Sequence, residues 1–228
     1  MSLPARLAFS DVDETLIDCK SMFDFLDHYL AARYGPQGLR RGRRVREELT
    51  ALAAGGTPRE ETNRIYYREW AGEPAGAAAE AGRAWFAERS ARTGFYIGSV
   101  RDALTRHRAA GDGVVLVSGS FPAILDPIAA DIGATHLVCS RPEVRGGVFT
   151  GGLDGEPVIG EEKRRAVRAL LGRHPWIDPA HCYGYGDHAS DLPMLTEVGN
   201  PVVVGDPALA ELLPGARLLL LDGASAAG

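Results

Sequence analysis

A short apolar approach that ends in two aspartates constrains this chain more than any other stretch: Leu7-Ala8-Phe9-Ser10-Asp11-Val12-Asp13-Glu14-Thr15-Leu16. Leu7, Ala8 and Phe9 form a compact apolar run before polar residues, the pattern of the end of a buried strand. Carboxylates at the carboxyl end of a strand in an open α/β sheet lie where such folds place ligands. Two of them one residue apart repel unless a cation, a proton or a lysine stands between them. Taken alone, the stretch is equally well an Asp-rich turn, because aspartate favours turns. The remainder of the chain decides between the two.

Further apolar runs recur at Val114-Val115-Leu116-Val117, Leu137-Val138-Cys139, residues 181–185, Val202-Val203-Val204 and residues 218–221, each short enough for a buried strand. Between them the spacing predicts helices over 100–110, 123–132, 161–171, 191–198 and 208–213, and a hairpin near Gly146-Gly147 and Gly151-Gly152. Strands alternating with helices imply a parallel sheet with right-handed crossovers. Residues 18–92 read differently, as helices without a clear strand. A capping box at Ser21-Met22-Phe23-Asp24 opens a helix that runs to Tyr34. Gly35-Pro36 breaks it, and a second helix covers 37–52. Thr57-Pro58-Arg59-Glu60 starts a third, with Pro at the first helical position. An alanine-rich fourth covers 75–92. The pattern predicts an α/β core made of residues 1–16 and 93–228, interrupted by a helical insert at 17–92.

The 228 residues suffice for one large domain or for a core with a smaller companion. A net charge of -5 gives no reason to expect nucleic acid or an anionic membrane as partner. No apolar run approaches the ~20 residues that span a bilayer. The first residues lack a basic segment followed by an apolar one, so no signal peptide is expected. Cys19, Cys139 and Cys182 are odd in number and scattered, which suits reduced thiols and a cytoplasmic protein. Of 25 Lys+Arg, only Lys20 and Lys163 are lysine. Where lysine interrupts an arginine-biased chain, a compact ammonium rather than a planar fork is implied.

Three more stretches fall just past predicted strands or at helix starts. Ser118-Gly119-Ser120 offers a hydroxyl and backbone N–H groups suited to phosphate oxygens, and Ser118 also suits an N-cap. Lys163 stands near the start of a helix, where a solvated face is the ordinary role of a lysine. Gly186-Asp187-His188-Ala189-Ser190-Asp191 carries two carboxylates four residues apart, and Asp191 alone could be an N-cap. His188 suits an exposed loop better than a Mg²⁺ ligand, because that ion prefers oxygen.

In this order, Asp11-Val12-Asp13-Glu14-Thr15, Ser118, Lys163 and Gly186-Asp187 through Asp191 resemble the four motifs of the haloacid dehalogenase (HAD) superfamily of phosphohydrolases. The stretches from Ser118-Gly119-Ser120-Phe121 to Gly186-Asp187 further resemble phosphoserine-phosphatase-like members (type IB), which carry a helical cap (C1) after the first motif. The resemblance covers essentially the whole chain. It implies a Rossmann-like parallel core with a helical cap, and a Mg²⁺-dependent phosphatase acting on a small phosphorylated metabolite through an aspartyl-phosphate. Asp11 would be the nucleophile. Asp13 would protonate the leaving alkoxide and later take a proton from water. Asp11, the Asp13 backbone carbonyl and Asp187 would hold Mg²⁺. Lys163 would offset negative charge, and Thr15, Ser118, Gly119 and Ser190 would join it around the phosphate. Asp191 would orient Lys163 or a metal-bound water.

Phosphoserine phosphatases carry, nine residues after the nucleophile, a glutamate that holds the substrate's ammonium. Here that position is Lys20, and Ser190 stands where those enzymes commonly have asparagine. Lys20 either faces the site, favouring a second anionic group on the substrate, or faces solvent. Among Arg40, Arg41, Arg43, Arg44 and Arg46 a solvated helix face is favoured over an anion site. Phe25, Tyr29, Arg44 and Tyr66 are candidates for contact with the leaving group. Other functions open at this stage are a phosphoserine phosphatase, a phosphotransferase, and a non-catalytic phospho-ligand-binding protein. Oligomeric state is not legible.

Overall fold

A computed structural model of the chain describes residues 4–221. Its main sheet is built of six strands: β1 (Leu7–Ser10), β2 (Gly113–Ser118), β3 (His136–Cys139), β6 (Tyr183–Gly186), β7 (Asn200–Val204) and β8 (Arg217–Leu219). They pair in the order β3-β2-β1-β6-β7-β8, every pair parallel. The chain therefore winds outward from β1 in one direction and restarts beside it in the other. The switch point lies between β1 and β6, where open α/β sheets bind their ligands.

Alternation along the strands fills two cores. Leu7, Phe9, Val115 and Val117 face one side, packed with Val167, Leu170 and Leu195. Ala8, Val114 and Leu116 face the other. Side chains two apart share a face of a strand, so a run of β-branched residues buries both faces at once. The first side is covered by α6 (Glu161–Gly172), the single-turn α7 (Leu192–Leu195) and α8 (Pro207–Glu211). The second is covered by α4 (Gly98–Ala109) and α5 (Pro122–Ile132).

The helical stretch comprises α1 (Ser21–Ala54), α2 (Arg59–Arg68) and α3 (Ala75–Ser90). In α1 the helix is interrupted at Gly35, with φ 55°, beside Pro36, where the sequence places the break. These helices share one apolar cluster with the sheet. Phe25 packs on Trp70 and Trp85; Phe25 and Trp70 meet Phe121, which leads into α5, and Trp70 also meets Phe149 of the hairpin β4 (Pro142–Arg145)–β5 (Val148–Leu153). The hairpin turns through Gly146 and Gly147, both at positive φ, as a two-residue loop requires. α3 lies so close to α5 that a Cβ on Gly82 would sit 1.7 Å from the Ala123 carbonyl oxygen. Asp24 of α1 accepts from Trp85 Nε1 at 2.7 Å and from Arg89 at 2.6 and 2.9 Å, tying α1 to α3.

Several local expectations are corrected. The capping box at Ser21 does not form. Ser21 N donates to Asp13 Oδ2 at 3.1 Å, so the acidic loop supplies the anion at the start of α1. Asp24, which should have completed the box, is held by Arg89 and Trp85. Pro58 occupies the N-cap position of α2 rather than its first helical residue. The helix expected over 191–198 is a 3₁₀ turn, Ala189–Asp191, followed by α7. There His188 Nδ1 accepts from Ser190 N while Asp191 Oδ2 accepts from His188 N, a reciprocal cap that begins the element with a tight turn.

Candidate active site

Three strand ends converge at the switch point. β1 delivers Asp11 and Asp13, β2 ends on Ser118, and β6 is followed by Asp187, while α6 brings Lys163 in from the flank. Lys163 is 3% exposed, and its Nζ lies 2.6 Å from both Asp11 Oδ1 and Asp191 Oδ1. It is therefore the opposite of a solvated helix lysine. The four-residue reach from Asp187 to Asp191 crosses the 3₁₀ turn and leaves both carboxylates on the same side. Asp11, Asp187 and Asp191 each present an oxygen within 4.8 Å of the others. A cavity of about 60 Å³, roughly twice a water's share of liquid volume, is lined by Asp11, Asp13, Ser118, Gly119, Ser120, Lys163, Asp187, Ser190 and Asp191 among others.

The loop after β1 is drawn into a tight turn. Glu14 N donates to the Ile17 carbonyl at 2.9 Å, and Glu14 itself takes φ 60°, the one non-glycine at positive φ among the described residues. Such backbone is found where the surrounding structure holds a functional loop in place.

Electrostatics follow from burial and crowding. Burial pushes the Asp11 carboxyl up; Asp191 and Asp187 push the same way, and Lys163 pulls against them. Asp13 is raised by burial to about 6, with the hydrogen bonds from Ser21 opposing. Asp187 is also raised, chiefly by burial. For Lys163 burial alone would lower the pKa, but Asp11 and Asp191 reverse this and hold the ammonium above its usual range. Three carboxylates share one ammonium, so the cluster is short of positive charge. Its donors are all oxygens, and Asp13 Oδ1 is buried without a protein partner among the described residues. This donor set fits Mg²⁺, a hard cation with oxygen ligands.

Most of the residues expected from the sequence gather here, but not all. Thr15 is a correction: instead of facing a phosphate, it is fully buried and donates its hydroxyl to Asp187 Oδ1 at 2.7 Å. It orients that carboxylate. Asp191 has both oxygens engaged, Oδ1 by Lys163 and Oδ2 by His188 N at 3.2 Å. Ser118 Oγ accepts from Ser120 N at 3.1 Å, which leaves its proton free to donate into the cavity. Ser190 and the exposed His188 stand at the rim.

Lys20 lines a larger outer cavity of about 430 Å³ that shares Asp13, Met22, Arg59 and Asn63 with the inner one. Its ammonium lies 3.6 Å from Glu14 Oε2, with its side chain 61% exposed. Tyr66 also borders this outer cavity. Arg44 does not come to the site. It lines a separate cavity with Tyr34, Gln37, Gly38, Arg40 and Arg41, just past the kink at Gly35, while Leu49, Thr50 and Ala53 further along α1 line the outer site cavity. Phe25 and Tyr29 are packed in the aromatic core and touch neither site cavity.

Arg59 and Asn63 line the inner cavity without having been anticipated. The signal was present: Arg59 and Asn63 stand four apart, on one face of α2 with Tyr66 and Tyr67. Asn63 Nδ2 and Tyr67 Oη donate to the Gly119 carbonyl at 3.1 and 2.9 Å, clamping the loop after β2.

Comparison with known proteins agrees with this geometry. A protein of Mycobacterium tuberculosis named "Probable phosphatase" is 40% identical over 103 residues, 45% of this chain and 35% of that relative. A phosphoserine phosphatase of the same organism is 33% identical over 108 residues, 47% of this chain and 35% of its own. The matched stretches thus span about a third of those relatives. A crystal structure of a protein of unknown function from Bordetella pertussis superposes with a TM-score of 0.82 at 25% identity, covering 95% of this chain and 99% of that one. The family of haloacid dehalogenase-like hydrolases matches residues 8–196. Those residues run from β1 to the end of α7 and include every carboxylate and the lysine of the cluster, so the chain belongs to that family.

Proposed function

We propose that the chain is a Mg²⁺-dependent phosphatase that hydrolyses a small phosphomonoester bearing a second anionic group. One observation carries the reading: a buried ammonium 2.6 Å from two carboxylates at the ends of different elements, beside a cavity lined with hydroxyl and N–H donors. Such a site neutralises an anion so that an anionic nucleophile can approach it.

Asp11 attacks phosphorus, forming an aspartyl-phosphate as the ester P–O bond breaks. Asp13, with a carboxyl held near pH 6, donates the proton to the departing alkoxide and then takes one from the water that cleaves the acyl-phosphate. Asp11, Asp187 and the Asp13 backbone would hold Mg²⁺, which supplies the positive charge that the carboxylates and the phosphate together demand. Lys163 stays in register through Asp191 and bears on Asp11 and the phosphoryl oxygens. The Ser118 hydroxyl and the Gly119 N–H bind those oxygens, and Thr15 keeps Asp187 turned inward. Lys20 and Arg59 both line the outer cavity, where the leaving group extends, and this supports a second anion there. The helices that cover the cavity exclude water from the reacting centre.

The test is release of inorganic phosphate from an aryl phosphate with Mg²⁺. Turnover is expected to vanish with EDTA and to fall by several orders of magnitude in Asp11→Asn. Turnover that survives Asp11→Asn would remove the nucleophile from the scheme.

A further inference from the structure

Asn63 is buried, with 7% of its surface exposed, and lines both the inner and the outer cavity. Its carboxamide nitrogen donates to the Gly119 carbonyl at 3.1 Å and lies 3.6 Å from Met22 Sδ. A carbonyl oxygen only accepts, so this contact fixes which end of the amide is which. The other end, Oδ1, is an acceptor without a protein partner among the described residues. Two neighbouring hydroxyls are committed to backbone carbonyls. Tyr66 Oη donates to the Met22 carbonyl at 2.9 Å, and Tyr67 Oη donates to the Gly119 carbonyl. A buried amide oxygen without a donor is unfavourable, and a ligand group that supplies the donor recovers that loss.

We propose that Asn63 makes this site selective for phosphomonoesters carrying a hydroxyl group on the carbon chain beside the ester, with Asn63 Oδ1 accepting from that hydroxyl. The inference rests on the phosphatase reading above. A neutral donor is favoured over an ammonium because Arg59 precedes Asn63 by one helical turn on the same face of α2 and lines both cavities beside it. Its charge repels another cation next to Asn63, whereas Lys20 is paired with Glu14. A site that hydrogen-bonds a substrate hydroxyl discriminates against the analogue that lacks it, because its own polar group is then left unpaired. Asn63 thus has two separable tasks: its nitrogen steadies Gly119 for every ester, and its oxygen reads the leaving group.

The experiment compares kcat/KM for glycerol phosphate, n-propyl phosphate and ethanolamine phosphate, with an aryl phosphate measured alongside. The wild type is expected to prefer glycerol phosphate over n-propyl phosphate by about tenfold or more, for one hydrogen bond matched against one lost. In Asn63→Leu both rates fall and the ratio drops toward one. Tyr67→Phe, which removes only the other donor to Gly119, lowers both esters together and leaves the ratio intact. Asn63→Asp keeps an acceptor oxygen and keeps the preference. If Asn63→Leu does not fold, the wild-type ratio and the Tyr67→Phe and Asn63→Asp ratios still decide. Aryl phosphate turnover with equal rates on glycerol and propyl phosphates would overturn the role of Asn63 while sparing the phosphatase. A preference for ethanolamine phosphate would overturn the choice of a hydroxyl. No turnover of any ester would end both.

Discussion

The two carboxyl oxygens of Asp13 meet different surroundings. Oδ2 accepts from Ser21 N at the start of α1, while Oδ1 is buried and without a protein partner among the described residues. The first contact holds the carboxyl in place and the second leaves one oxygen for the reaction. Burial raises this carboxyl to about 6, so its protonated fraction drops as pH rises through that value. An alkoxide needs the proton; a good aryl leaving group does not. The ratio of alkyl to aryl phosphate turnover is therefore expected to fall as pH rises above about 6. Asp13→Asn should lower alkyl ester turnover on the order of 10²–10⁴-fold, with a smaller loss for the aryl ester. A flat ratio from pH 5 to 8 would argue that another group carries the proton.

At the level of elements, the insert is joined to the core by packing rather than by a loose tether. Gly82 brings α3 against α5 so closely that any side chain meets the Ala123 carbonyl. On the other flank, Asn63 and Tyr67 of α2 reach the Gly119 carbonyl. Gly82→Val is expected to force the helices apart and cost about 1–3 kcal/mol, lowering Tm by about 2–4 °C for each kcal/mol in a chain of this size. Thermal unfolding measures it, and a variant with an unchanged midpoint would show that α3 can shift without loss. The outer cavity opens between α1 and α2, where Leu49, Thr50, Ala53 and Thr57 form part of its wall.

Across the whole molecule the buried acids tie stability to pH. Burial raises Asp13 to about 6, above the ~3.9 of an unfolded aspartate, and shifts Asp11 and Asp187 in the same direction. Between those values the native state binds more protons than the unfolded chain, so stability falls as pH rises. Lys163, held above its usual range, stays charged throughout this window. Metal-free protein is expected to melt at a lower temperature at pH 8 than at pH 5, and excess Mg²⁺ should recover part of the loss at pH 8 by binding the native state alone. Equal midpoints at the two pH values without divalent metal would contradict the assignment.

The order of strands and helices, the break at Gly35-Pro36 and the placement of Asp11, Ser118, Lys163 and Asp187 past strands or at helix starts were legible in the residues themselves. Apolar period, glycine and proline act over a few residues, and a strand end defines where its next side chain can stand. Direction was not legible. Thr15 turns inward to Asp187, Arg44 leaves for another face, and Arg59 and Asn63 join the cavity from a helix that reads as an ordinary amphipathic segment. Each depends on how α1 and α2 seat against the sheet, through contacts such as Asn63 to Gly119, 56 residues apart. Local pattern determines which elements exist; only long-range packing decides which of their side chains meet.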